Sequence, residues 1–165
     1  MKKALLVLMM ILLPSVAPAG AADSVDEPKS CVRCGMDRTV FARSRMLVIY
    51  ADGTSLGVCS LHCAAEELQR NGGKRVISLM VADYTTKTLV DARTATWVVG
   101  GKKPGVMTAL AKWAFAKAEA AGKFVVENGG IVKPFDQALA AAIMEVQAQA
   151  AEEKAVENEM LLELK

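Results

Sequence analysis

The chain has 165 residues with a hydrophobic content of 53%, which is enough for one ordinary domain with a buried core and excludes long-range disorder. Its 20 basic and 18 acidic residues give a formal charge of +2. Lys2 and Lys3 account for that excess and lie in a predicted export signal, so the mature chain is formally neutral. A neutral chain lacks the strong basic excess of nucleic-acid-binding proteins, and we predict no nucleic-acid partner.

Residues 1–22 have the layout of a secretory signal peptide, with a basic start, an apolar run and small residues at the expected cleavage site. The apolar run over 4–13 meets Pro14 too early to span a membrane, which needs about 20 apolar residues. We therefore expect a cleaved signal, a periplasmic location and no membrane span in the mature protein. Residues 23–30 are short, charged and proline-containing, and are expected to form a flexible lead-in.

The first half of the fold is predicted over residues 31–84. An apolar β-branched run followed by Asp52-Gly53 predicts a β-hairpin, because this dipeptide favours tight hairpin turns. Ser60 is a suitable helix cap, and Asn71-Gly72-Gly73 is suited to end that helix. In chain order, this half is expected to contain strands over 45–50 and 55–59, a helix over 61–71 and a strand over 75–84.

The second half is predicted over residues 85–142, with a charged helical tail over 143–165. Its rhythm repeats that of the first half, and the alignment places Met107 at the position of Cys59, each just before a helix cap. In chain order, the sequence predicts a strand over 94–99, a loop over 100–105, a helix over 108–121, a turn and strand over 125–132 and a helix from Phe135.

All four cysteines lie in two close pairs, Cys31 with Cys34 and Cys59 with Cys63, and the single histidine, His62, lies inside the second pair. In an exported protein an even number of cysteines indicates disulfides by default. The C-x2-C and C-x3-C spacings also suit a metal site. Because a helix brings positions i, i+3 and i+4 to one face, the second pair and its histidine are expected to point the same way.

Ligand softness narrows the choice of ion. Thiolates suit both Zn²⁺ and Cu(I), whereas a methionine thioether favours Cu(I). Met36 and Met107 are the methionines best placed to contribute one. We therefore predict a metal site for Cu(I), with zinc as the alternative ion, formed by residues drawn from Cys31, Cys34, Met36, Cys59, His62, Cys63 and Met107.

Three functions agree with this site. The first is a carrier that passes Cu(I) to an acceptor by ligand exchange, without catalytic turnover. The second is a zinc- or disulfide-stabilised structural module that binds another protein, and the third is a protein that sequesters other soft metals. The sequence has no Ser-His-Asp arrangement and no phosphate-binding glycine loop, so we predict that the protein is not an enzyme.

The segment CVRCGM over 31–36 closely resembles the signature of the NosL family, the accessory proteins of nitrous-oxide reductase. The resemblance continues through Asp52-Gly53, the strand at 97–100, Met107 and the stretch at 124–135, and so extends over about residues 31–142. It implies an α+β fold of two ββαβ-like halves with small antiparallel sheets and packed helices, plus a C-terminal helix.

The resemblance also implies a function. Proteins of this family bind Cu(I) and supply it to the copper centres of the reductase, so the expected partner is an acceptor copper enzyme or another copper-carrier protein. Carried over to this sequence, the family's ligands correspond to Cys34, Met36 and Met107. Many family members are lipoproteins, but Pro28-Lys29-Ser30 precedes Cys31 and is not a lipobox, so no lipid anchor is predicted. The CSLHC pair at 59–63 resembles the C-x3-C end of TRASH domains.

Overall fold

The computed structural model describes residues 28–163, so the predicted signal peptide and most of the lead-in lie outside the described residues. The chain forms two antiparallel sheets and three helices. The elements are β1 (Met46–Tyr50), β2 (Ser55–Val58), α1 (Leu61–Arg70), β3 (Val76–Ala82), β4 (Leu89–Asp91), β5 (Thr96–Val99), β6 (Lys112–Phe115), α2 (Ala118–Asn128), β7 (Ile131–Lys133) and α3 (Phe135–Glu163).

The two sheets share one topology. The first has the strand order β2-β1-β3-β4 and the second has the order β6-β5-β7. In each half, a hairpin is followed by a helix and then by a strand that returns to the free side of the first strand. The predicted α+β class with two ββαβ-like halves is therefore confirmed. β4 pairs with β3 and extends the first sheet, although the predicted boundary after residue 84 assigns this segment to the second half.

The first half follows the sequence pattern closely. Alternation along β1 buries Met46, Val48 and Tyr50 on one face, as expected for a strand that packs on a core. The hairpin turn uses Gly53 at a φ of 84°, a conformation that favours glycine. Ser60 is the N-cap residue of α1, but its side chain makes no capping hydrogen bond.

The second half departs from the predicted helix over 108–121. Residues 112–115 instead form β6, pair with β5 and are all buried. Cross-strand packing of Trp113 on Val98 and burial of Phe115 outweigh the helix propensity of the neighbouring alanines. The helix follows as α2 over 118–128, so Gly122 lies inside it rather than at its end.

This shift changes the internal repeat. The topological alignment matches β1 with β5 and β2 with β6, so the counterpart of Cys59 is Ala116, the residue that follows β6. Met107 lies in the connection between β5 and β6, over residues 100–111, which corresponds to the short hairpin turn over 51–54. The predicted equivalence of Cys59 and Met107 is therefore wrong, because it depends on a helix over 108–121, whereas α2 begins only at Ala118.

α3 packs along α1. Ala138, Ala142 and Val146 lie one turn apart on its buried face, and the small side chains of the two alanines permit a close approach of the helices. Residues 147–163 continue as an exposed helix, and the predicted boundary at 143 falls inside α3. None of the helices in the part of the chain that the structure describes is long and apolar enough to cross a membrane.

Candidate metal centre

The first cysteine pair lies in a tight loop over residues 31–36. The Cys31 amide donates to the Met36 carbonyl at 2.8 Å, and the Gly35 amide donates to the Cys31 carbonyl at 2.9 Å. Gly35 adopts a φ of 76°, which closes the loop without a steric penalty. The Val32 amide donates to the carbonyl of Gly57 in β2 at 3.0 Å. This bond attaches the loop beside the strand that leads into Cys59.

Arg38 also holds the chain near the first cysteine pair to β1 and β2. This residue is fully buried, and its guanidinium donates to the carbonyls of Pro28, Met46 and Val58 at 2.7, 3.2 and 3.4 Å. A Cβ at Gly57 would lie 2.4 Å from Nη1 of Arg38, so glycine is required where the guanidinium crosses β2. The arginine thus links the chain before the first cysteine pair to the strands that precede the second pair.

The four cysteines converge on one point. The Sγ atoms of Cys34, Cys59 and Cys63 are separated by 3.5 Å (Cys34–Cys59), 3.6 Å (Cys59–Cys63) and 3.7 Å (Cys34–Cys63). With Cys31 included, all four Sγ atoms lie within 4.8 Å of one another. A metal–sulfur bond of about 2.3 Å implies a sulfur–sulfur edge of about 3.8 Å in a tetrahedron. The spacing of this cysteine cluster therefore fits one metal ion held by thiolates.

All four thiols are free, and three of them are buried, whereas Cys34 is half-buried. Hydrogen bonds from Cys59 and Cys63 hold the pKa of Cys31 far below its usual range. The bond to Cys31, together with burial, raises the pKa of Cys59 to about 12, and bonds to Cys31 and Cys59 raise the pKa of Cys63. The cluster thus favours one thiolate that its neighbours stabilise. A bound cation would replace the remaining protons, because metals take the thiolate form.

A cleft of about 480 Å³ opens on one side of the cysteine cluster. Of the four cysteines, only Cys34 lines it, and His62 and Met107 are both part of its wall. We call it the Cys34 cleft. Its lining is formed by Arg33, Cys34, His62, Glu66, Gln69, Arg70, Met107, Val146, Gln149, Ala150 and Glu153.

His62 and Met107 reach the cleft from opposite halves of the chain. His62 is 6% exposed, and its Nδ1 atom has no hydrogen-bond partner in the part of the chain that the structure describes. Burial lowers the pKa of its imidazole, so the ring is neutral near pH 7 and suited to bind a metal. Met107 is 42% exposed and has a φ of 57°. Neither residue belongs to the cysteine cluster itself, and both stand beside its exposed edge.

Met36 is in a different environment. Its carbonyl closes the cysteine loop, and its side chain is half-buried against the main core. Among the described residues, the wall of the Cys34 cleft does not include it. The structure therefore brings together the four cysteines, places His62 and Met107 at the adjacent cleft, and leaves Met36 half-buried outside the wall of that cleft.

A buried carboxylate under the site was missed by sequence reasoning. Glu67 of α1 is 2% exposed, accepts hydrogen bonds from Tyr50 at 2.9 Å and Asn71 at 2.6 Å, and pairs with Arg33 at 3.4 Å. Arg33 lies between the cysteines of the first pair, so this ion pair ties the loop to α1. The available signal was an acidic residue one turn after Cys63, on the face of α1 that is otherwise apolar.

Comparison with known proteins gives the family of the chain and a solved structure with a similar fold. The family model NosL matches residues 22–143, most of the chain. The chain belongs to the NosL family. The crystal structure of the copper chaperone NosL from Shewanella denitrificans is similar to it, with a TM-score of 0.56 and 21% identity over 72% of this chain and 96% of that one. No curated protein matches the chain in sequence. The exposed part of α3 lies beyond the NosL match.

Proposed function

We propose that this NosL-family protein is an exported carrier of Cu(I), which it passes to an acceptor protein by ligand exchange. The observation that carries the proposal is the convergence of four free thiols with only Cys34 at the edge of an open cleft. Thiolates suit soft ions, the Met107 thioether at the same cleft favours Cu(I) over Zn²⁺, and the copper chaperone NosL from Shewanella denitrificans has a similar fold.

The exchange would proceed at Cys34. The three buried cysteines hold the ion from the interior, while Cys34 is the ligand that an incoming side chain meets first. As Cys34 releases the ion, His62 and Met107 offer an imidazole and a thioether on the wall of the same cleft. Neutral donors of this kind bind Cu(I) without adding negative charge, which favours onward transfer. An acceptor thiolate or imidazole would then complete the exchange from the solvent side.

The acceptor is proposed to be an exported copper enzyme of the nitrous-oxide reductase type, or another copper carrier that serves it. The family membership of the chain supports this choice. The signal-like segment over 1–22 supports a periplasmic location, where such an enzyme would be met. Fractionation of cells that produce the full chain tests the location: the mature protein is expected in the periplasmic fraction, shortened at its N-terminus.

A zinc-stabilised structural module is the second candidate. Three buried cysteines and sulfur–sulfur distances close to a tetrahedral edge are typical of closed structural zinc sites. In that case the ion would join the loop over 31–36 to α1 and would not exchange. The two candidates differ in whether the metal can leave through the Cys34 cleft.

Metal competition decides between them. The mature chain is purified without oxygen and titrated with Cu(I) against a chelator of known affinity, beside Cys34→Ser, Met107→Leu and the wild type. A carrier is expected to bind Cu(I), to release it to an added thiol peptide, and to weaken with both substitutions. Stoichiometric zinc that Cu(I) does not displace, together with no effect of Met107→Leu, would overturn the carrier proposal in favour of the structural module.

A further inference from the structure

The loop that carries Met107 has a conformation that needs support. A φ of 57° is uncommon for a residue other than glycine, and contacts around it must compensate for its cost. Two residues earlier the turn is also tight, because a Cβ at Gly105 would lie 2.6 Å from Cγ2 of Thr108. Met107 is therefore held at the cleft by a backbone that does not adopt this shape by intrinsic preference.

Glu145 of α3 supplies that support. The Thr108 hydroxyl donates to its Oε2 atom, and the Leu110 amide donates to its Oε1 atom at 3.3 Å. Lys112 of β6 contributes Nζ, which donates to Oε2 of Glu145 at 2.6 Å, to Oγ1 of Thr108 at 3.0 Å and to the carbonyl of Leu110 at 2.8 Å. We call Glu145, Lys112 and Thr108 the loop clamp.

The loop clamp is built from charges that the fold withdraws from water. The Lys112 side chain is 1% exposed and that of Glu145 is 23% exposed. A buried lysine on a strand is costly unless it is paired and hydrogen-bonded, and its partners among residues 28–163 belong to α3 or to the Met107 loop. The ion pair of Lys112 with Glu145 therefore joins α3 to the Met107 loop.

The clamp stands directly behind the cleft. Thr108 follows Met107 in the chain, and Val146, the residue after Glu145, lines the Cys34 cleft together with Met107. The clamp therefore joins α3, which forms part of the wall of the cleft, to the loop that supplies the thioether. No member of the clamp lines the cleft or belongs to the cysteine cluster. The clamp holds the Met107 loop by direct hydrogen bonds, whereas its two opposite charges act on His62 only through space and in opposite directions.

We propose that the loop clamp positions Met107 in the wall of the Cys34 cleft and thereby sets the preference of the site for Cu(I) over Zn²⁺. This inference rests on the proposed carrier function and assigns Glu145 and Lys112 as positioning residues. Because a thioether is a ligand for Cu(I) and rarely for Zn²⁺, a displaced Met107 would reduce Cu(I) affinity and leave zinc binding to the four thiolates in place.

The test removes the clamp without leaving a buried charge alone. Glu145→Leu with Lys112→Met removes both charges together, whereas Glu145→Ala would strand the lysine and threaten folding. Glu145→Gln is the conservative variant, since its amide oxygen still accepts from Thr108 or Leu110. Lys74→Gln, which removes the exposed ion pair to Asp52 beside the first hairpin, is the matched control.

Cu(I) competition, zinc competition and methyl NMR of Met107 are measured on the full mature chain. The paired variant is expected to lower Cu(I) affinity by about tenfold, in the range of losses caused by residues that orient metal ligands. Zinc affinity stays within twofold, Glu145→Gln retains most of the Cu(I) affinity, and Lys74→Gln has no effect. The Met107 methyl signal shifts with Cu(I) in the wild type and shifts less in the paired variant.

A double-mutant comparison separates this inference from the proposed function. In the Met107→Leu background the paired variant should cause no further loss of Cu(I) affinity. Three results would overturn the clamp proposal while Cu(I) binding stands. They are a further loss of similar size in the Met107→Leu background, an equal loss of affinity for both metals, and no loss when Met107 is present. A wild-type chain that fails to take up Cu(I) would overturn the proposed function itself.

Discussion

The two halves of this protein share a hairpin, helix and strand order but differ in which connections carry the candidate metal ligands. In the first half, the hairpin turn over 51–54 is short, and the sulfur ligands lie before β1, between β2 and α1, and in the first turn of α1. In the second half, the junction after β6 has no sulfur, and the hairpin connection is extended over 100–111 to bring Met107 to the cleft. Repetition of a topology therefore does not repeat a site, because ligands sit in connections that the sheet pairing leaves free to vary.

The largest expected effect comes from the junction after β2. Cys59→Ser removes a buried thiol that lies between Cys34 and Cys63, and a hydroxyl is a poor ligand for a soft ion. Metal affinity is expected to fall by at least about 100-fold, the upper end of losses from residues that only orient ligands. Ala116→Ser, at the counterpart position after β6, is the control and should bind as the wild type does. Equal losses in both variants would contradict the asymmetry.

Gly57→Ala should produce the largest loss of stability in the metal-free protein. The added Cβ would displace the buried guanidinium of Arg38 from three carbonyl acceptors. We expect the free energy of unfolding to decrease by about 2–3 kcal/mol, from overpacking and lost hydrogen bonds. Urea denaturation measures the change. An unchanged midpoint would show that Arg38 does not need the space over β2.

The loss of stability in acid should report on Glu145, which holds the connection over 100–111. Burial alone would raise the pKa of Glu145, but hydrogen bonds from Lys112 and Thr108 lower it overall. Its contribution to stability is therefore present above its unfolded pKa of about 4.5 and is lost as the pH falls through the lower folded value. In denaturation from pH 6 to pH 3, Glu145→Gln should lose less stability with acid than the wild type. A parallel loss in both proteins would contradict this assignment.

The smallest effect is expected at the glycine inside α2. Gly122 has an ordinary negative φ and no neighbouring atom within reach of an added Cβ. Gly122→Ala should therefore stabilise the protein by about 0.5–1 kcal/mol, because alanine is the better helix former and restricts the unfolded chain. Its opposite sign to Gly57→Ala in the same urea experiment sharpens the contrast between the halves. Destabilisation would show that Gly122 is needed in α2.

Local sequence patterns predicted most of the secondary structure of the first half. The Asp52-Gly53 turn, the alternating strand β1 and the capped helix α1 were all predictable, because hydrophobic period and turn chemistry agree there. The same signals gave the wrong prediction at β6. Its alanine-rich segment predicts a helix, but Trp113 pairs with Val98 across the second sheet. Gly122 added to the error, since a glycine ends a helix only where the backbone turns, as it does at Gly129 with a φ of 73°.

The amino-acid sequence predicts an α+β chain with two pairs of cysteines whose spacing suits a soft metal. The packing of the folded chain decides that Cys34 alone among these thiols lines the cleft, that Met107 and His62 line it too, and that Met36 is half-buried outside its wall. Spacing and turn residues act over a few positions of the chain, whereas exposure and ligand position depend on how α3, β2 and the 100–111 loop pack together, and no local pattern encodes that packing.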